Sequence, residues 1–440
     1  MTNDRPLRQA SAVPSSRVAR LLELGGIATG MAGGVVAGGI RQMAEGKRPA
    51  LADLLLTPAN AGRLTEGLSR MRGAALKVGQ MLSMDTGLVL SPELTAILTA
   101  LRDDARHMPH AQLQKVLNGA WGKGWQSRFR RFDPRPIAAA SIGQVHRAET
   151  LDGEHLAIKV QYPGVRESID SDLDNVATLL RMPGLLPRGL DITPLLSEAR
   201  QQLHDEADYC REAGHLQHFG MLLAGADAFR VPTYNKEFSS PSVLAMGFVE
   251  SRPLESLVHA TQAKRDEVAR ALIDLVLREL FDFGTMQTDP NLANYRMDRV
   301  AGAIVLLDFG AVRSIPGDLQ AAFRRLLNAG LEGQGEEIHR AMLEIGYFSP
   351  KTTRRHQDLI QEMFVMAMEP LRQAEPFDFG SSDLLERLRN KGLAIGNERD
   401  LLHVPPASTL FLHRKIGGMY LMAAKLKARV PLRDLVEPYR

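Results

Sequence analysis

The sequence predicts an α+β fold with two lobes, in which short strands come first and helices follow. Three stretches, at 143–147, 156–160 and 243–248, have the length and apolar content of strands and are bounded by turn residues. After Pro253 the pattern is mostly helical, interrupted by a short apolar run at 303–307. Strands in the first part of a chain and helices in the second are typical of an α+β arrangement.

The composition is that of an ordinary globular protein with the size of an enzyme. Of its 440 residues, 44% are hydrophobic and 24% are charged, and the net charge is +3. These values exclude a disordered, fibrous or polytopic membrane chain. The single cysteine, Cys210, excludes an intramolecular disulfide and a cysteine-cluster metal site, so the sequence fits a reducing cytoplasm.

Four segments are predicted along the chain. A basic tail and a glycine-rich apolar helix occupy 1–50, and a helical cap occupies 51–127. The N-lobe extends over 128–253 and contains an inserted helix at about 195–219. The C-lobe extends over 254–440 and ends in a basic tail. Between the first two strands of the N-lobe, residues 151–153 indicate a hairpin turn.

The N-terminal segment suggests contact with a membrane surface or with another helix. Residues 24–40 carry no charge, and glycine recurs there at every fourth position from Gly26 to Gly38. On a helix this period places the glycines on one face, which permits close helix pairing and a homodimer. The segment is short for a bilayer span, so an interfacial helix is favoured over a true span or a cleaved signal. The basic ends could contact anionic lipid, or they could be solvated tails.

Two loops in the C-lobe carry the residues of a phosphoryl-transfer site. Asp289 is followed five positions later by Asn294, and Asp308-Phe309-Gly310 follows the apolar run 303–307. An Asp-x4-Asn loop followed by Asp-Phe-Gly after a strand is typical of a kinase-type site. The Asn294 amide and the Asp308 carboxylate are oxygen ligands suited to Mg²⁺. Asp289 is predicted to lie where a nucleophilic hydroxyl or water approaches.

A lysine in the predicted N-lobe complements these loops. Lys159 lies in the apolar strand 156–160, where its charge would be costly to bury without a partner. On the inserted helix, Asp208 and Glu212 are about 40° apart at 100° per residue, whereas Glu206 points elsewhere. Glu212 is the preferred partner for Lys159, although spacing alone does not exclude Asp208.

The segment before this strand is rich in alanine where a protein kinase has glycine. It reads Ala138-Ala139-Ala140-Ser141 and is followed by Ile142-Gly143-Gln144. Alanine lacks the access to positive φ that glycine has, so this loop is expected to be stiffer and to hold a nucleotide differently.

These motifs together resemble the UbiB/AarF/ADCK family of atypical kinases. Lys77-Val78-Gly79-Gln80 resembles the family's Lys-x-Gly-Gln signature, and the alanine-rich segment and the stretch 206–213 resemble corresponding family motifs. The sequence 287–291, Gln-Thr-Asp-Pro-Asn, is similar to the ubiquinone-linked ADCK branch and its bacterial relatives. The resemblance extends from about residue 13 to residue 430. It implies a two-lobed protein-kinase-like fold with an N-terminal Lys-x-Gly-Gln cap.

The resemblance also implies the cofactors and the roles of individual residues. ATP and Mg²⁺ are the expected cofactors, with Asp289, Lys159 and Glu212 as catalytic residues and Asn294 and Asp308 as metal ligands. The expected nucleotide-binding residues are Ala138, Ala139, Ala140, Ser141, Lys159, Met246 and Phe248. The expected cap and regulatory residues, which fold over the site, are Lys77, Gly79, Gln80, Glu206 and Asp208.

The function that the resemblance implies is an ATPase supporting ubiquinone biosynthesis, peripherally bound to the cytoplasmic face of the inner membrane. Its expected partners are anionic membrane surfaces, hydrophobic quinone precursors and quinone-biosynthesis enzymes, and no nucleic acid is expected. Thr288 and a basic tail replace the His-x-Asp loop and C-terminal spans of many bacterial UbiB proteins. Two alternatives remain: a small-molecule or lipid kinase, and a non-catalytic, nucleotide-gated scaffold. Phosphorylation of proteins is not expected.

Overall fold

A computed structural model describes residues 73–75, 77–79, 107–181, 192–396 and 406–440. The glycine-rich segment, the basic N-terminal tail and most of the predicted cap, including Gln80, lie outside the described residues. The described part of the chain forms two compact units. The first contains the residues up to 214 together with 233–248, and the second contains 215–232 together with 249–440. Residues 215–232, which lie within the predicted N-lobe, therefore group with the second unit.

The described residues form short strands and longer helices. The strands are β1 Phe129–Phe132, β2 Ala138–Ala139, β3 Gly143–Thr150, β4 His155–Gln161, β5 Phe229–Arg230, β6 Val243–Gly247, β7 Ser251–Pro253, β8 Thr285–Gln287, β9 Tyr295–Asp298, β10 Ile304–Leu306, β11 Val312–Ser314, β12 Phe377–Asp378 and β13 Arg429–Val430. The α-helices are α1 His110–Trp121, α2 Val165–Leu180, α3 Thr193–Glu206, α4 Tyr209–Leu222, α5 Gln262–Phe281, α6 Gly317–Glu332, α7 Gly335–Ile345, α8 Arg354–Ala367, α9 Glu369–Arg372, α10 Leu384–Gly396, α11 Ala407–Lys425 and α12 Leu432–Val436. The same ranges also contain 3₁₀ helices, at Trp125–Arg128, Leu254–His259, Leu292–Asn294 and Glu437–Tyr439.

The first unit is built on an antiparallel sheet of five strands. The strand order is β1-β3-β4-β6, and β2 pairs with the first residues of β3. The inward side chains of β4, at Leu156, Ile158 and Val160, are completely buried and pack in one core with α1 and the aromatic residues near β1. The predicted hairpin between β3 and β4 is present, and Gly153 supplies the positive φ of 84° that its turn requires.

The inserted helix predicted at 195–219 is two helices, α3 and α4, separated at Ala207 and Asp208. The cause is local: the Asp208 Oδ1 accepts a hydrogen bond from the Arg211 backbone N–H at 3.0 Å. Aspartate is favoured at this capping position because it satisfies an N–H group that the first helical turn leaves unpaired. The predicted 40° between Asp208 and Glu212 assumed one continuous helix, and that assumption was wrong.

Helix α2 was not among the predicted elements, although its sequence carries the signal. Ile169, Leu173, Val176 and Leu180 are buried at helical spacing on one face of this helix. The three- and four-residue strands of the second unit, apart from β10 in the predicted run 303–307, were also missed. Strands this short carry too few alternating positions to be recognised from periodicity.

The second unit combines small sheets with helices. Strands β5, β10, β9 and β7 form one sheet in that order, and β8 pairs with β11. Helix α5 packs against α11, and α6 packs against α7. No helix within the described ranges is both long and apolar enough to cross a bilayer.

The predicted basic C-terminal tail is folded rather than extended. Residues 406–440 form α11, β13 and α12, because apolar residues such as Leu426, Val430 and Val436 are buried. Several of its cations pair with acids of the same unit; Arg429, for example, contacts Asp378 at 3.1 Å. These cations are therefore less available to an anionic membrane than a solvated tail would be.

A buried polar chain joins the segment before α1 to strand β3. The Gln144 side chain accepts a hydrogen bond from the Met108 backbone N–H at 2.8 Å, and its amide nitrogen lies 2.9 Å from His146 Nε2. The other ring nitrogen, Nδ1, lies 2.9 Å from the Asp133 carbonyl oxygen. Since that carbonyl can only accept, Nδ1 carries the proton and Nε2 accepts from Gln144.

This arrangement predicts a loss of stability at acidic pH. Burial lowers the pKa of His146 from 6.5 to about 4, so the unfolded chain binds a proton in that interval and the folded chain does not. Stability is therefore complete above the unfolded pKa and falls as pH drops towards 4, by up to ~1.4 kcal/mol per pH unit. Urea unfolding at neutral pH and at about pH 5 measures this slope. His146→Gln should flatten it and the exposed control His259→Gln should not; equal slopes would contradict the prediction.

Candidate functional site

A buried ion pair joins strand β4 to helix α4 in the first unit. The Lys159 Nζ donates to both carboxylate oxygens of Glu212, at 2.7 and 2.9 Å. Lys159 is 8% exposed and Glu212 is 1% exposed. The Tyr209 ring lies beside the ammonium group, with its centroid at 5.2 Å. The structure thus pairs Lys159 with the partner preferred from the sequence, while Asp208 caps α4.

The cap residue Lys77 is bound to a second acid of the same unit. Its Nζ lies 2.5 Å from the Glu206 Oε1, and Lys77 is 2% exposed. The other oxygen of Glu206 accepts a hydrogen bond from the Ser141 hydroxyl at 2.7 Å. Glu206 therefore links the cap to the alanine-rich segment. Gly79 is buried in the same short helical stretch.

The alanine-rich segment is partly a strand. Ala138 and Ala139 form β2, and the Ala140 N–H donates to the Gly143 carbonyl at 2.8 Å. The turn passes so close to β4 that a Cβ on Gly143 would lie 2.5 Å from the Val160 carbonyl oxygen. Only glycine fits there. Ala138 and Ala139 are exposed on the surface of this unit, and Ala140 is half-buried.

The two remaining residues predicted to bind nucleotide lie at the end of strand β6. Met246 pairs with Ala157 of β4 and is 6% exposed. Phe248 is half-buried beneath the Arg147 guanidinium, which lies 4.4 Å from its ring centroid.

In the second unit, hydrogen bonds hold the loop after β8 in a fixed shape. The Asn294 amide nitrogen lies 3.3 Å from both the backbone oxygen and the Oδ2 of Asp289. Thr288 donates twice to the Ala311 carbonyl, through its N–H and its hydroxyl, each at 2.8 Å. Thr288 thus ties the Asp289 loop to the residue that follows Asp308-Phe309-Gly310.

The Asp-Phe-Gly segment is anchored at each of its residues. The Asp308 Oδ1 accepts from the Gly310 N–H at 2.9 Å. Phe309 is buried, and its ring packs on that of Phe219 with centroids 5.1 Å apart. The Leu307 N–H donates to the Asn294 carbonyl at 3.1 Å, so this segment and the preceding loop are directly joined.

The donor set of this unit suits Mg²⁺. Asn294 and Asp308 line one small cavity, together with Glu279, Gln287 and other side chains. Both provide hard oxygen ligands, and Mg²⁺ commonly takes one or two protein ligands and completes its shell with phosphate and water. Across the part of the chain that the structure describes, no group of three or more His, Cys, Asp or Glu residues could hold a metal. Two hard oxygen ligands are compatible with the predicted role of Asn294 and Asp308, which is to hold a magnesium ion that arrives with a nucleotide.

Four residues around the Asp289 loop were missed as candidates. Glu279, Gln287, Tyr295 and Lys415 form a buried polar cluster directly behind it. Gln287 was noted only as part of a motif. Lys415 lies 128 residues further along the chain, so no spacing rule connects the two.

Comparison with known proteins agrees with the class of protein that fold and site define, which is protein-kinase-like. The family model described as the ABC1 atypical kinase-like domain matches residues 100–342. The chain belongs to the ABC1 family of atypical kinases. The predicted family and the predicted fold class are thereby confirmed.

Curated relatives match along almost the whole chain. The chain is 38% identical to the mitochondrial atypical kinase COQ8 of Saccharomyces cerevisiae over 425 residues, covering 96% of this chain and 84% of that protein. It is also 38% identical to the mitochondrial atypical kinase COQ8B of Rattus norvegicus, covering 97% and 80%. Among solved structures, the Mycobacterium tuberculosis protein Rv3197, solved with erythromycin, has a TM-score of 0.58 at 26% identity, covering 86% and 94%.

Proposed function

We propose that this protein binds ATP with Mg²⁺ and hydrolyses it in support of ubiquinone biosynthesis at a membrane surface. The observation that carries the nucleotide part is the buried Lys159–Glu212 ion pair. A charged pair this deep costs desolvation energy that a pair of apolar residues would not. This cost is explained if the Lys159 ammonium group also binds the phosphate groups of a ligand.

Each predicted residue has a distinct part in this chemistry. Lys159, oriented by Glu212, neutralises charge on the α- and β-phosphates. Asn294 and Asp308 hold the magnesium ion, which supplies charge neutralisation at the phosphates when it is bound. Asp289 accepts a hydrogen bond from the attacking water, orients it and takes its proton as the water attacks. The alanine-rich segment and the residues Met246 and Phe248 contact the rest of the nucleotide.

The cap supports a reaction with water more than one with a protein substrate. Lys77, Glu206 and Ser141 form a continuous chain of polar contacts between the cap and the alanine-rich segment. We infer from the family resemblance that this cap excludes a protein substrate and that water or a small molecule is the acceptor.

The quinone part rests on the relatives and on the sequence of the N-terminal segment. The two relatives described above are named atypical kinase COQ8 and atypical kinase COQ8B, and the motif 287–291 resembles the ubiquinone-linked branch. The apolar, glycine-rich stretch 24–40 and the cations of residues 1–50 would supply the contact with anionic lipid. We place the protein peripherally on the cytoplasmic face of the inner membrane, with quinone precursors and quinone-biosynthesis enzymes as partners.

Product analysis tests this proposal against its rivals. Purified protein is incubated with Mg²⁺ and γ-labelled ATP, with and without anionic liposomes that contain a hydrophobic quinone-precursor mimic. Free phosphate whose release rises with the liposomes is the expected result. Label in a lipid or small-molecule product would instead show a kinase. Nucleotide binding without either product would show a scaffold.

A further inference from the structure

Lys415 of helix α11 is a fully buried lysine outside the residues assigned so far. Its Nζ lies 2.9 Å from the Glu279 Oε2 on α5, and each of these two side chains is 1% exposed. The same Nζ donates to the Tyr295 hydroxyl oxygen at 3.0 Å and to the Gln287 Oε1 at 3.3 Å. Burial opposes the charge of Lys415, but Glu279 and Tyr295 outweigh it and raise its pKa to about 12. Lys415 is therefore a cation at neutral pH, paired with the Glu279 carboxylate.

This cation fixes which way the Gln287 amide points. The Gln287 oxygen accepts from Lys415 and also from the Tyr295 hydroxyl, at 3.0 Å. With both donors on the oxygen side, the nitrogen must face the other way. There it donates to the backbone carbonyl of Asp289 at 2.8 Å. Rotating the amide by half a turn would place its NH₂ group against the Lys415 and Tyr295 donors, and its oxygen against the Asp289 carbonyl oxygen.

The backbone of Gln287 is held by the same cluster. Its N–H donates to the Glu279 Oε1 at 3.2 Å. Glu279 thus binds Gln287 through one oxygen and Lys415 through the other. The last residue of β8 is fixed at both its main chain and its side chain, immediately before the Asp289 loop.

Helix α11 also touches the loop directly. A Cβ on Gly418 would lie only 2.3 Å from the Pro290 Cβ, which is too close for two carbon atoms. The helix backbone therefore packs directly against this proline. Gly418 lies one helical turn after Lys415. One helix therefore reaches the loop on both sides of Asp289: through Gln287 before it, and through Pro290 after it.

From these contacts we infer that Lys415 and Gln287 are positioning residues for Asp289, and that α11 helps to hold the Asp289 loop in place. The inference rests on the proposed function, in which Asp289 orients the attacking water. The chain of contacts runs from Lys415 to the Gln287 amide and from that amide to the Asp289 carbonyl. A misplacement of about 1 Å at a reacting group can cost ~100-fold in rate, so a residue two contacts away can matter.

Gln287→Glu tests the inference without a change of side-chain size. The substitution replaces the amide donor with an oxygen that repels the Asp289 carbonyl, while Lys415 still has an acceptor. We expect kcat for ATP hydrolysis to fall ~10- to 100-fold with KM for MgATP unchanged. The matched control is Gln357→Glu, at a buried glutamine of the same unit whose amide donates to the Thr352 carbonyl at 2.8 Å. This control should keep the wild-type kcat.

A double variant tests Lys415 without leaving a buried charge alone. Lys415→Met combined with Glu279→Leu removes the ion pair and preserves apolar packing, which often leaves stability unchanged. We expect it to fold and to lose kcat in the same manner as Gln287→Glu. Wild-type kcat in either variant would overturn the inference.

A readout independent of catalysis separates this inference from the proposed function. Amide hydrogen exchange of the peptide containing residues 288–295 should be faster in Gln287→Glu than in Gln357→Glu and wild type, without any nucleotide. If wild type hydrolyses no ATP, the proposed function fails and the exchange result still decides the positioning. Equal exchange in all three proteins would overturn the inference even if ATP hydrolysis is confirmed.

Discussion

Replacing Lys159 with methionine is expected to lower the free energy of unfolding by about 3–5 kcal/mol. The Glu212 carboxylate is 1% exposed, and the substitution removes the ammonium group that donates hydrogen bonds to both of its oxygens. A buried charge that loses its partner keeps its full desolvation cost. Urea denaturation followed by circular dichroism measures the change.

Two further variants test whether the loss of stability arises from an unpaired buried charge. Lys159→Met/Glu212→Leu removes the charge as well and should recover most of the lost stability. Arg325→Met breaks an exposed pair, in which Arg325 and Glu344 are 54% and 48% exposed, and should cost less than ~1 kcal/mol. Equal losses for Lys159→Met and Arg325→Met would mean that the Lys159 pair is not buried in solution.

Asp289→Asn is expected to reduce the rate of ATP hydrolysis ~10²- to 10⁴-fold while nucleotide binding is retained. The amide cannot accept a proton from the attacking water, but it has the same size as the carboxyl group. The backbone carbonyl of Asp289, which accepts from Gln287 and Asn294, is unchanged. Initial rates of phosphate release and the Kd for a fluorescent ATP analogue separate the two effects.

The control for this variant is an aspartate of the same unit with no part in the site. Asp318 is exposed at the start of α6, where its Oδ1 contacts the neighbouring Leu319 N–H. Asp318→Asn should hydrolyse ATP at the wild-type rate. If Asp289→Asn behaves in the same way, Asp289 does not orient the nucleophile.

The local features of the fold followed from the sequence because they depend on neighbouring residues. Strand β4 was recognisable from its apolar run, and Gly153 marked the hairpin turn that precedes it. Asp289, Asn294 and Asp308 were predicted as site residues from their spacing, and their roles stay predictions. Lys159 required a partner on physical grounds, and the acids weighed for it were Glu206, Asp208 and Glu212 of the predicted inserted helix.

Features that periodicity and charge patterns do not decide were missed. The separation of α3 from α4 depends on whether Asp208 caps a new helix or lies within a longer one, and periodicity alone does not decide this. The C-terminal basic residues looked like a tail because charge was weighed without the burial of Leu426 and Val430 between them. Lys415 is the sharpest case, since charge and position both suggested the surface, yet it is 1% exposed.

The roles of Ser141 and Glu206 show the same limit. Both residues were selected from motifs, but the hydrogen bond between them joins positions 65 residues apart. Folding brings the alanine-rich segment and the end of α3 together, and no local pattern contains that information.

The most direct test of the proposed function is Mg²⁺-dependent phosphate release from ATP by wild type and by Asp308→Asn, with and without anionic liposomes. Asn keeps the size of the side chain and removes the charge that would hold the metal ion. The account predicts release that requires Mg²⁺ and Asp308 and that rises with liposomes. Release that is equal in the two proteins, or absent from wild type under every condition, would contradict it.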